Sequence, residues 1–185
     1  TAKGKVRKNS LEDFSSINTA GKIAMKLDTS DKIVGVEICK NDQDIMLSTK
    51  NGKCIRFEAK KLRVFKGRSS KGIKGLELAT NDEIVSMSVI DNDKTKKNGK
   101  KSKDEKSEIT AKEKFVLSIS ENGYGKRSSI EDYRVTNRGG KGVKTINVTE
   151  KTGGLVSIKN VTDEDDLMII NKSGITIRLA VDDLR

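Results

Sequence analysis

Four short strings decide the fold: Lys3-Gly4-Lys5-Val6-Arg7-Lys8, Asn51-Gly52-Lys53-Cys54-Ile55-Arg56, Asn122-Gly123-Tyr124-Gly125-Lys126-Arg127 and Ser173-Gly174-Ile175-Thr176-Ile177-Arg178. They align on one glycine, and the four glycines lie 48, 71 and 51 residues apart. Two further landmarks keep the same spacing. Gly21, Gly72 and Gly142 each stand six residues before an apolar residue (Leu27, Leu78, Val148), at intervals of 51 and 70. Ile33-Val34-Gly35-Val36, Ile84-Val85-Ser86-Met87 and Leu155-Val156-Ser157-Ile158 recur at 51 and 71. One period of about 50 residues, kept by three landmarks, identifies a repeat architecture.

The residue types are positional within each repeat. Four residues after the landmark glycine stands a cation: Lys8, Arg56, Arg127, Arg178. Seven after it stands an apolar residue (Leu11, Ala59, Ile130, Val181), and ten after it another (Phe14, Leu62, Tyr133, Leu184). Apolar positions in register predict a shared core. Cations in register predict a charged surface repeated once per unit, and so a track for a polyanion.

The apolar runs are short, as in Ile45-Met46-Leu47, Phe115-Val116-Leu117 and Leu167-Met168-Ile169-Ile170. None sustains a helical stripe over a dozen residues, and Gly, Asn, Asp and Ser punctuate them in a chain without proline. That pattern reads as all-β. About four short strands per unit suggest propeller-like blades. The repeats are expected at 1–50, 51–121, 122–172 and 173–185, the last being the start of a further blade. The long interval locates an insertion at Asp91–Lys114, which carries nine Lys, six acidic residues and only Ile109 and Ala111 as apolar side chains. Such a segment cannot bury enough surface to offset its ordering entropy, and a disordered loop is expected there.

Composition narrows the chemistry. Among 185 residues, 38 Lys and Arg face 27 Asp and Glu, a formal charge of +11, and there is no histidine. Without His the commonest general base is missing, along with Ser-His-Asp, Cys-His and His-metal arrangements. Cys39 and Cys54 lack a CxxC spacing and suit a reducing compartment. No apolar run approaches the length of a membrane-spanning helix, no charged-then-apolar leader is visible, and no secretory signal is expected. The expected location is cytoplasmic. Gly67-Arg68-Ser69-Ser70-Lys71-Gly72 has the glycine spacing of a phosphate-binding loop, but Ile73 stands where that loop needs Lys. Asp163-Glu164-Asp165-Asp166 lacks the alternating ligands and glycine of a calcium loop, and reads as an acidic turn. No catalytic or metal-ligating set emerges.

Four strings carry a family resemblance: Gly21-Lys22-Ile23-Ala24-Met25-Lys26-Leu27; Arg63-Val64-Phe65-Lys66-Gly67-Arg68-Ser69-Ser70-Lys71-Gly72; Glu121-Asn122-Gly123-Tyr124-Gly125-Lys126-Arg127; and Arg138-Gly139-Gly140-Lys141-Gly142-Val143. They resemble the C-terminal domain of the type IIA topoisomerase A subunits, most closely that of bacterial DNA gyrase. The resemblance implies a β-pinwheel of four-stranded blades, here truncated to three or four, that binds and bends duplex DNA. It also implies two protein partners, the breakage-reunion domain of the same subunit plus an ATPase B subunit. ATP and Mg would serve the whole enzyme, and no cofactor is expected in this part. Arg138-Gly139-Gly140-Lys141-Gly142 matches the last five positions of the family's DNA-wrapping box, with Thr136 and Asn137 in the first two. The full box is expected upstream of Thr1.

Joined to the register cations, the resemblance gives a set of DNA-contacting candidates: Arg7, Lys8, Arg56, Arg63, Lys66, Arg68, Lys71, Lys74, Lys126, Arg127, Arg134, Arg138, Gly139, Gly140, Lys141, Lys144 and Arg178. Repeated cations on loops read phosphates, so binding should be largely indifferent to sequence. Two alternatives predict different behaviour. A topoisomerase IV A subunit would use the related domain to steer substrate choice without full wrapping. A propeller scaffold for proteins would expose an apolar patch and bind with weak salt dependence.

Overall fold

The computed structural model describes residues 1–92 and 113–184. Most of the expected insertion, 93–112, lies outside the described residues. Among those described there are twelve strands, short 3-10 turns and no α-helix.

The central strands explain why the apolar runs are continuous rather than alternating. β2 (Asp44–Thr49) is buried throughout and lies between β3 (Lys53–Glu58) and β5 (Ile84–Ile90), antiparallel to both. Ile45 and Leu47 enter one core cluster with Val6, Ile55, Phe57 and Leu76, whereas Met46 points into a second with Cys54, Val116, Tyr133 and Ile158. A sheet with a core on each face needs apolar residues at successive positions. The next repeat repeats the plan. β6 (Phe115–Ser120) lies between β7 (Gly125–Ser129) and β10 (Leu155–Val161), with Val116 in the second cluster and Leu117 in a third beside Val161 and Val181. β11 (Asp166–Ile170) and β12 (Thr176–Ala180) form a further hairpin, on which Met168, Ile170 and Ile177 stay exposed. The expected boundary at residue 50 falls inside the β2–β3 hairpin, because each sheet takes its first strand from before the landmark glycine.

Neighbouring repeats are interlocked by exchanged backbone. After a 3-10 turn at Ala59–Lys61, the chain returns to the preceding repeat, where Val64 bridges Lys8 in parallel and β4 (Ile73–Lys74) pairs with β1 (Lys5–Val6). The following repeat does the same after the turn at Ile130–Asp132. Its β8 (Val135–Thr136) runs parallel to β3, and its β9 (Val143–Lys144) pairs antiparallel with the start of β3. This exchange gives the landmark glycine its physical meaning. Gly52 turns the β2–β3 hairpin at φ +77°, and a Cβ there would stand 2.6 Å from the carbonyl of Ile146 in the returning segment. Only glycine meets both demands.

The apolar register behaves as expected with one exception. Ala59, Val181, Leu62 and Tyr133 are buried, and Ile130, Phe14 and Leu184 are partly buried. Leu11 is 64% exposed, because it borders an open cleft of about 650 Å³ between β1 and residues 33–40. In the following repeat the corresponding space is filled by β2.

Candidate nucleic-acid interface

The box-like turn at Arg138–Gly142 touches the segment that follows the corresponding turn of the preceding repeat. Arg138 Nη1 donates to the carbonyl of Lys74 (2.9 Å), Gly139 N–H to that of Gly75 (2.6 Å), and Glu77 N–H to that of Gly140 (2.9 Å). The Gly139 amide, a candidate for phosphate, is therefore committed to the segment after the neighbouring turn. What these contacts create is a continuous rim, because β4 and β9 follow the two turns and each carries a lysine outward.

Strand register then sets like charges side by side. Lys74 on β4 lies opposite Lys5 on β1, and Lys144 on β9 lies opposite Lys53 on β3. Directly opposite residues of an antiparallel pair project on one face, and like charges there are destabilising unless an anion offsets them. Lys5 and Lys53 stand outside the candidate set read from the sequence, although both follow a landmark glycine by one residue. The signal is the register, hidden because the later repeats carry Tyr124 and Ile175 there.

The rim continues through the second box-like turn. Lys66 is exposed, Arg68 Nη1 donates to the carbonyl of Ile23 (3.0 Å), and Lys71 pairs with Asp28, which also pairs with Lys5. The two ammonium groups, Lys5 first and Lys71 second, hold the Asp28 carboxyl down to about 2. Beside the third turn, a hollow of about 400 Å³ brings Arg134, Asn137, Gly140 and Lys141 together. Among the described residues, no hydrogen bond or ion pair engages the side chains of Lys66, Lys74, Lys126, Arg134 or Lys141, and all five are exposed.

Other candidates are spent on structure. Arg7 donates to the carbonyls of Gly67 and Ser70 and to Asn9 Oδ1, and its guanidinium lies 4.5 Å from the Phe65 ring centroid. Arg63 lies 4.3 Å from the same centroid. The register cations depart most from expectation. Arg56, only 12% exposed at its side chain, pairs with buried Asp44 and donates to the carbonyls of Ile130 and Tyr133. Arg127 pairs with Asp163, donates to the carbonyl of Val181 and packs on Phe115. Lys8 donates to Asn41 and to the carbonyl of Ala59. Arg178 is exposed but tied to Asp166. The expectation that these four form a phosphate track is thus corrected: three reach between repeats, where each already donates to a turn carbonyl of the next repeat.

Fold and rim together define a β-propeller repeat protein whose adjoining turns gather positive charge along one edge. The chain matches the family described as the DNA gyrase C-terminal domain, beta-propeller, over residues 1–40, 43–91, 114–162 and 165–185. It belongs to that family. Over its whole length it is 38% identical to the DNA gyrase A subunit of Rickettsia bellii and 39% identical to that of Staphylococcus epidermidis. It spans 24% and 18% of those relatives. In fold it matches the structure of a DNA gyrase A C-terminal domain (TM-score 0.73, 24% identity, 96% of this chain and 52% of that one). It also matches the C-terminal domain of DNA topoisomerase IV (TM-score 0.81, 19% identity, 100% of this chain and 51% of that one). Among the described residues, no helix is long and apolar enough to cross a membrane.

Proposed function

We propose that this chain is a non-catalytic module that binds and bends duplex DNA along the rim from Lys66 to Lys144, with Lys5 and Lys53 among the contacts. The observation that carries the reading is the pair of cross-strand lysine juxtapositions, Lys5 with Lys74 and Lys53 with Lys144, repeated at equivalent places in two repeats. Asp28 offsets Lys5 in the free chain, and the remaining cross-strand lysine charge gains from a polyanion laid along both strands. The relatives' name supplies the setting. Within a gyrase, a module of this kind would wrap one DNA segment, presenting it to a breakage-reunion domain while an ATPase subunit drives negative supercoiling. Contacts to phosphate carry no sequence information, so different duplexes should bind alike.

The test is the salt dependence of binding after Lys66, Lys74 and Lys141 are changed together to Gln. The log–log slope should flatten by about 2.7, from about 0.9 for each phosphate no longer neutralised. The matched control changes Lys40, Lys159 and Lys172, which lie outside the rim. Equal flattening in the two variants would mean that net charge alone binds DNA, and the rim assignment would fall.

A further inference from the structure

We propose that the cation four residues after each landmark glycine is an inter-repeat latch that sets the angle between neighbouring sheets, and through it the curvature of the rim. The same contact occurs three times. Lys8 Nζ donates to the Ala59 carbonyl at 2.8 Å, Arg56 Nη1 to the Ile130 carbonyl at 3.0 Å, and Arg127 Nη1 to the Val181 carbonyl at 3.0 Å. Each acceptor stands seven residues after the next landmark glycine, so one rule of register joins every repeat to its successor.

The acceptor is not an incidental carbonyl. Each one also receives the N–H three residues on, from Leu62, Tyr133 and Leu184 respectively, and that bond closes a tight turn. A carbonyl oxygen has two lone pairs, and the turn uses one while the latch uses the other. The cation is gripped from its own repeat as well. Twelve residues before it, diagonally across the hairpin, stand Asp44 for Arg56 and Phe115 for Arg127. A group held by its own hairpin and by the next repeat's turn fixes their relative orientation. Arg178 has the hairpin partner, Asp166, without a turn carbonyl among the described residues, and it is 69% exposed. It is the built-in comparison.

The effect on the turn needs no DNA. The effect on curvature rests on the reading that the rim carries DNA, and the experiment separates the two. Arg127→Gln should speed amide exchange at Leu184 by about tenfold or more, as expected for losing a hydrogen bond to a charged group, while β6 and β7 keep their protection. Arg127→Lys should restore protection, since Lys8 makes the same contact in the first repeat. Asp163→Asn, which removes only the exposed ion pair, should leave Leu184 protected. At saturating protein, Arg127→Gln should bend DNA less, with an unchanged salt slope. Unaltered exchange at Leu184 in Arg127→Gln would overturn the latch, as would a slope reduced by about 0.9 with the turn still protected, the signature of a phosphate contact. Should the unaltered chain fail to bind DNA, the rim reading would fall, and the exchange result would still decide the latch.

Discussion

Arg56 Nε lies 2.8 Å from Asp44 Oδ2, diagonally across the β2–β3 hairpin, and Asp44 is fully buried. The other carboxylate oxygen accepts 2.6 Å away from Asn92 Nδ2. The pair therefore sits where water cannot solvate it, and each charge depends on its partner. This is why a cation conspicuous in the aligned strings is buried between repeats and withdrawn from the surface. A charge that recurs at one position can be required by the seam between units as readily as by a ligand.

Arg56→Gln should consequently destabilise the chain by about 3–5 kcal/mol, the usual effect of stranding a buried charge. Arg178→Gln breaks a pair of the same register that is solvent-exposed, and should cost far less. Urea denaturation of the two variants makes the comparison. Similar midpoints would show that the Asp44 pair contributes no more than its exposed counterpart.

The two cysteines should separate cleanly. Burial pushes the Cys54 thiol up to about 12, with Arg56 opposing the shift only in part, whereas Cys39 is partly exposed at the cleft. At neutral pH Cys54 is a protonated core residue, and the thiolate is the reactive form. A thiol reagent should titrate one cysteine in the native chain and two in denaturant. Rapid reaction of Cys54 in the native state would mean that its cluster opens far more readily than the packing of Tyr133, Leu155 and Ile158 around it implies.

Much of the fold was legible because a repeat writes its geometry several times. The landmark glycines marked the turns, and the three apolar runs marked the strands of the sheets. The exchange of strands between repeats was not legible, since β4, β8 and β9 are two residues long and carry no periodicity. That omission caused the main error at the site. Without knowing that the segment from Ile130 returns to β3, nothing in the sequence says that Arg56 has a carbonyl waiting for it. The same blindness hid Lys53, whose neighbour Lys144 lies 91 positions away and meets it only through the exchange.

Asp28 gives the rim a pH-sensitive edge. Its carboxyl, held by Lys5 and then Lys71, falls from 3.8 to about 2. A depressed folded-state value means that its contribution is complete above pH 3.8 and is lost as pH drops through about 2. Thermal unfolding of Asp28→Asn and the unaltered chain should therefore differ at pH 5 and converge at pH 2. The substitution also removes the carboxylate that competes with phosphate for Lys5 and Lys71, so DNA should bind more tightly at a given salt concentration. Convergence without any change in DNA affinity would place Lys5 and Lys71 outside the DNA contact.

The exchange itself can be tested at two glycines that share one backbone conformation. Gly142 has φ +71° and Gly21 has φ +75°, so alanine at either would carry the left-handed penalty of roughly 1–2 kcal/mol. Their surroundings differ. A Cβ at Gly142 would stand 2.5 Å from the Cys54 carbonyl on β3, whereas nothing lies within 4 Å of one at Gly21. Backbone cannot yield there without parting β9 from β3. Gly142→Ala should thus lose clearly more stability than Gly21→Ala, with denaturant midpoints as the measure. It should also weaken DNA binding, because undocking β9 separates Lys144 from Lys53 and disperses the charge that the two strands hold together. Equal losses at the two positions would show that the returning segment is not pressed against β3, and the rim would lose its structural basis.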